Sequence, residues 1–164
     1  SICKDAGIDT GLVEQIIKID DSQRRYVVDK VEKMLGGDLN GRRVGVLGLS
    51  FKKDTSDVRY SPAIDIIQML QRRGAKIIAY DPKAMNEAKK VLSDIDYCSD
   101  AYEVARQSEA IAVLTEWDEF TNLNKMKIKQ GTNKVIDARN IFDPAIMRQL
   151  GFEYDSLGRP MAKF

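Results

Sequence analysis

The stretch Phe51-Lys52-Lys53-Asp54-Thr55-Ser56-Asp57-Val58-Arg59, followed by Ser61-Pro62, sets an aromatic ring and three cations ahead of a helix start. An aromatic face stacks on a base or packs against a sugar. Lysine offers a compact charge for phosphate or hydroxyl oxygens, and arginine a bidentate fork. Ser61 as the cap and Pro62 as the first helical residue open a helix whose unpaired backbone N–H groups favour anions. A plainer reading stands beside this one: a charged surface loop in which Lys52 and Arg59 pair with Asp54 and Asp57. Arg139, in Asp137-Ala138-Arg139-Asn140, is expected over the same rim as Lys52. Two cations on one rim fit an anionic ligand or a solvated edge.

What is missing narrows the chemistry further. The 164 residues contain no histidine, which removes Ser-His-Asp and Cys-His catalysis and every zinc site that needs imidazole. Two cysteines, Cys3 and Cys98, are too few for an all-cysteine zinc site or a disulfide framework, so no metal is expected and a reducing cytoplasm fits. Cys98, at a strand end, is expected to be buried and inert. Lys and Arg total 26 against 25 Asp and Glu, a net charge of +1. No bulk attraction to nucleic acid or membrane follows from that balance.

These residues sit on an alternating series of elements. Apolar residues at helical spacing predict one long helix over 11–35, interrupted by Asp20-Asp21-Ser22-Gln23-Arg24-Arg25. That interruption is either a solvated stretch or a face, carried by Asp20 and Gln23, turned to a partner domain or an active site. Strands are then expected at 43–49, 75–80, 95–98, 110–114, 134–138 and 152–154. Helices are expected at 61–73, 85–92, 100–107, 118–127 and 144–150. The alternation predicts an α/β fold: a Rossmann-like, doubly wound, mainly parallel sheet with helices on both faces, preceded by a long α-helix. The expected division is 1–40 as helix and linker and 41–164 as the sheet domain. The tail from Asp155 to Phe164 reads as loose.

Ligands of such sheets bind beyond the carboxyl ends of the strands. The glycine fingerprint of dinucleotide binding is absent there, since Gly45 and Gly48 do not supply it. Asp81-Pro82 reads as a plain turn. In Thr115-Glu116-Trp117-Asp118-Glu119-Phe120, Thr115 and Asp118 read as a capping box, with Trp117 and Phe120 as packing residues.

Taken in order, Phe51–Arg59 with Ser61-Pro62, Tyr80-Asp81-Pro82, Thr115-Glu116-Trp117, Glu119-Phe120 and Asp137-Ala138-Arg139-Asn140 resemble the C-terminal domain of the UDP-glucose/GDP-mannose dehydrogenase family. The long helix with Asp20–Arg25 is similar to the family's central helix. The Thr-Glu-Trp form is most similar to the UDP-glucose 6-dehydrogenase branch. That resemblance implies a parent oxidoreductase that converts the sugar C6 alcohol to a carboxylate in two NAD-dependent steps through a cysteine-bound intermediate. It implies that Phe51 and Lys52 contact a UDP-sugar, with Arg139 also on the substrate side, and that Arg59 reaches NAD held mainly by a separate N-terminal domain. It also implies a homodimer built around the long helix.

Two departures from the family pattern stand out. Asp20 occupies a position where the family usually has Asn. Ser1-Ile2-Cys3-Lys4-Asp5 lacks the glycines and spacing of the family's nucleophile motif, so Cys3 reads as a structural cysteine. The expectation is therefore a piece of a longer enzyme, without its NAD domain and catalytic cysteine, inactive alone and with weak or undetectable binding of UDP-sugar. Two alternatives remain. One is a dehydrogenase of GDP-mannose or a UDP-N-acetylhexosamine; the other is a non-catalytic dimerisation or nucleotide-binding module.

Overall fold

The computed structural model describes residues 11–159, so Cys3 and the segment around it lie outside the described residues. Among the described residues, helix α1, Gly11–Met34, comes first. Then follow β1 Arg43–Leu47, α2 Pro62–Arg72, β2 Lys76–Tyr80, α3 Met85–Ala88, β3 Ile95–Tyr97, α4 Ala101–Gln107 and β4 Ala110–Val113. The series closes with α5 Asp118–Thr121, α6 Lys125–Lys129, β5 Lys134–Asp137, α7 Pro144–Gln149 and β6 Glu153–Ser156. All strand pairs are parallel, in the order β3-β2-β1-β4-β5-β6. This is the doubly wound Rossmann-like order expected from the alternating pattern.

The strands are apolar because both sheet faces are covered. Val44, Val46, Ile77, Ala79, Ala110, Ala112 and Ile136 face one core, shared with Val27, Val28 and Val31 of α1 and Ile66, Ile67 and Leu70 of α2. Leu47, Ile78, Ile111, Val113 and Val135 face the other, against Val104, Ile128 and Met147. The second half of α1 thus packs as one layer of the sheet domain. Earlier along the helix, Lys18, Ile19 and Asp20 are exposed.

Side-chain caps delimit the helices where Ser and Asp precede proline. Ser61 Oγ accepts from Ala63 N, and Asp143 Oδ1 accepts from Ala145 N and Ile146 N. Three expectations need correction. The segment 85–92 is helical only to Ala88 and ends in turns before Asp94, whose φ is +56°. The segment 118–127 splits in two, because Asn124 caps a fresh helix by accepting from Lys127 N. The last strand, expected over 152–154, runs Glu153–Ser156, so Asp155 and Ser156 belong to it rather than to a loose tail.

That last strand is fastened to α1 by a buried ion pair. Lys30 Nζ lies 2.6 Å from Asp155 Oδ2, with side chains 8% and 4% exposed. Removing one partner strands a charge away from water, a loss on the order of 3 kcal/mol. Lys30→Ala is expected to lower stability by about that amount, while the double replacement Lys30→Met with Asp155→Leu recovers most of it; urea unfolding checks both. No helix among the described residues is long and apolar enough to cross a membrane.

Candidate functional site

At the carboxyl end of the sheet, the loops after β1 and β4 meet. Gly48 has φ +97°, and a Cβ there would stand 2.5 Å from Thr115 Cβ, so only glycine lets the two loops pass. Thr115 donates its hydroxyl to Ser50 O at 2.9 Å. It does not cap a helix as the sequence suggested: Trp117 takes the cap position of α5 and makes no side-chain cap bond.

Asp81 fixes this meeting point. Its carboxylate is fully buried. Oδ2 accepts from Leu49 N (2.8 Å), Ser50 N (3.1 Å), Ser50 Oγ (3.1 Å) and Trp117 Nε1 (3.0 Å). Oδ1 accepts from Lys83 N (2.9 Å) and Ala84 N (2.7 Å). The Asp81-Pro82 turn is therefore the anchor of both neighbouring loops. Trp117 and Phe120 are buried, as their reading as packing residues requires.

From this anchor the 51–60 loop projects outward. Phe51 N donates to Asp57 O at 2.8 Å, closing the loop at its base. Phe51 is half exposed, and Lys52 is exposed and pairs with no carboxylate among the described residues. Lys53 Nζ pairs instead with Asp118 Oδ1 at 2.9 Å. Arg59 is 82% exposed and holds Asp57 at 2.8 Å, and these bonds pull the Asp57 carboxyl down to about 2. So the plainer reading of the loop holds for Arg59 with Asp57 and not for Lys52. Tyr60, next along, is 92% exposed at φ +59°.

The end of β5 repeats the device. Asp137 is fully buried; Oδ1 accepts from Arg139 N (3.0 Å), and Oδ2 from Phe142 N (3.0 Å) and Tyr154 Oη (2.9 Å). Burial and the neighbouring Asp137 charge hold the Tyr154 hydroxyl protonated, well above the ordinary tyrosine range. Arg139 Nε donates to Leu114 O at 2.8 Å and lies 3.3 Å from Glu116 Oε2.

Arg139 opens onto a cleft of about 460 Å³ between α1 and the sheet rim. Ile19, Asp20, Gln23, Arg24 and Val27 line it from α1, with Pro62 and Ile66 from α2. Leu114, Ala138, Arg139 and Leu157 complete it from the strand ends. Of the site residues expected from sequence, Arg139 lines this cleft; Phe51, Lys52 and Arg59 stand on the projecting loop. Arg24, inside the charged interruption of the long helix, was not foreseen as a cleft residue. Burial pushes the Cys98 thiol up to about 11, as an inert cysteine requires.

Residues 45–144 match the profile of the UDP-glucose/GDP-mannose dehydrogenase family, UDP binding domain. The chain belongs to that family. It is 40% identical over 151 residues to the UDP-glucose 6-dehydrogenase of Rhizobium meliloti, covering 91% of this chain and 35% of that protein. Against UDP-glucose 6-dehydrogenase TuaD of Bacillus subtilis it is 39% identical, covering 99% and 36%. The solved UDP-glucose dehydrogenase of the archaeon Pyrobaculum islandicum superposes with a TM-score of 0.80 at 31% identity, over 94% of this chain and 34% of that one. The chain thus spans about a third of the length of the curated relatives it matches.

A cofactor pyrophosphate does not fit the β1 turn of this family member. Gly48, which would have to admit it, is packed against Thr115 instead. Arg59 differs: it is exposed, and its only carboxylate partner among the described residues is the exposed Asp57. It fits as a cation offered to a cofactor held by other residues.

Asp81→Asn is expected to cost about 2–4 kcal/mol, because an amide cannot accept from all six donors and turns N–H against N–H. The fluorescence of Trp117, the single tryptophan, follows the unfolding midpoint. An unchanged midpoint contradicts the role given to Asp81.

Proposed function

We propose that this chain supplies the UDP-sugar-binding part of an NAD-dependent UDP-glucose 6-dehydrogenase of the cytoplasm, acting as a homodimer through the long helix. The carrying observation is that the chain aligns along most of its length with proteins named UDP-glucose 6-dehydrogenase while presenting cations at its sheet rim. The identities of 40% and 39% favour UDP-glucose over the other nucleotide sugars of the family. In this reading residues 1–40 form the dimer helix and linker, and 41–164 form the substrate domain.

The division of labour follows from exposure and charge. Phe51 packs its ring against the nucleotide sugar, and Lys52, with no carboxylate partner among the described residues, approaches the ligand as a point charge. Arg139 is pre-oriented by Leu114 O and offers its remaining N–H groups to the ligand's oxygens. Arg59 exchanges Asp57 for a cofactor phosphate, since an exposed ion pair is worth little and is readily given up. NAD would supply the hydride acceptor, with Arg59 among the residues to hold it; the residues here bind and orient.

Lys52→Ala in the full-length enzyme is expected to raise the Kd for UDP-glucose about tenfold, the worth of one charge-assisted contact. Arg59→Ala is expected to raise the KM for NAD and leave UDP-glucose binding unchanged. Calorimetry and steady-state kinetics read the two effects separately. If both variants match the parent protein, the chain is a dimerisation module and the proposal falls.

A further inference from the structure

Tyr60 is unfavourable to the fold on two counts. The first is its backbone. Four non-glycine residues among those described have positive φ: Asp54, Asp94, Asn140 and Tyr60. Asp and Asn visit that region readily, whereas a tyrosine at φ +59° is strained there. A tight turn imposes the strain. Ser61 N donates to Val58 O at 3.1 Å, which makes Tyr60 the third residue of a four-residue turn, a place where glycine or asparagine is usual. Val58 and Ser61 are both buried and Ser61 caps α2, so the turn is held at each end.

The second is its ring. Tyr60 is 92% exposed, whereas the other exposed large apolar side chains among the described residues lie between 48% and 58%. A ring so fully wet adds nothing to this core, and an asparagine in its place would ease the turn. Strain held without a packing reason points to a contact outside the fold.

Position says what that contact is. Arg59, the second residue of the same turn, is the exposed cation that fits a cofactor phosphate. In a dinucleotide each phosphate is joined through a ribose to a flat heteroaromatic ring. A phosphate held by Arg59 therefore brings a ring close to the turn, and a tyrosine face stacks on such a surface without needing charge.

We propose that Tyr60 is a cofactor-binding residue whose ring stacks on a planar ring of the dinucleotide, adenine or nicotinamide, while Arg59 holds the phosphate. This rests on the reading of Arg59 given above and adds to it a contact with the base.

Tyr60→Asn keeps the turn and removes the ring, and Tyr60→Phe keeps both. In the chain itself Tyr60→Asn is expected to raise the melting temperature by about 2–4 °C, with Tyr60→Phe unchanged. In the full-length enzyme Tyr60→Asn is expected to raise the Kd for NAD about fivefold by calorimetry, while Tyr60→Phe binds NAD as the parent protein does. The Kd for UDP-glucose stays the same in both. An equal loss for ADP-ribose puts adenine on Tyr60, and a loss confined to NAD puts nicotinamide there. An unaltered Kd for NAD in Tyr60→Asn, beside a weakened one in Arg59→Ala, overturns the stacking role and leaves the reading of Arg59 standing. A lower melting temperature of the Tyr60→Asn chain, or of the full-length variant with NAD affinity intact, seats the ring against protein and overturns it as well. If Arg59→Ala and Tyr60→Asn both bind NAD as the parent protein does, the two assignments fall together.

Discussion

A carboxylate sealed from water must find its hydrogen-bond donors inside the protein, and Asp81 finds six. That requirement shapes the whole carboxyl rim. Three backbone strands have to converge on one side chain: the exit of β1 through Leu49 and Ser50, the turn after β2 through Lys83 and Ala84, and the exit of β4 through Trp117. Convergence in turn forbids a side chain at Gly48, where the β1 and β4 exits touch. The space that admits a pyrophosphate in a dinucleotide-binding turn is here filled by protein. The same fold is thereby committed to a different use of its rim.

Asp137 plays the matching part on the other side of β4, holding the 139–142 turn and Tyr154. The two aspartates differ in what they display. Around Asp81 the backbone is fixed while the side chains of Phe51, Lys52 and Arg59 extend from a loop closed at its base. Around Asp137 the backbone fixes Arg139 itself, whose Nε is spent on Leu114 O. One rim therefore fixes its cation through backbone contacts, and the other displays its side chains from a projecting loop.

The strand series was legible because buried parallel strands leave near-continuous apolar runs, and the helix starts at Ser61-Pro62 and Asp143-Pro144 because capping chemistry is local. The family was legible for a similar reason: its marks are short segments after strands. Asp81 was not. Beyond the local Lys83 and Ala84, its partners lie 31, 32 and 36 positions away, and a buried acceptor looks like any turn aspartate until the sheet assembles. Thr115 misled in the same manner, its hydroxyl going to Ser50 instead of to its own helix. The 118–127 segment carried Asn122, which ends one helix, and Asn124, whose capping of the next outweighed the helical spacing. Arg24 escaped notice because charge within a long surface helix ordinarily means solvent.

How the cleft keeps its shape follows from where α1 is held. Beyond Val27 the helix is buried against the sheet, and Lys30 binds it to β6 through Asp155. Before Val27 its described residues leave the core, and Arg24 ties them sideways to Asp65 in the first turn of α2. The helix that begins at Ser61 is thus clamped at its start by α1 and entered directly from the 51–60 loop. The loop, the start of α2, Asp65 and Arg24 thus form a continuous path to the helix wall of the cleft. That path is made of charged contacts at the water's edge, each worth little by itself. The buried pair at Lys30 is the opposite kind of contact, since removing either partner strands a charge away from water.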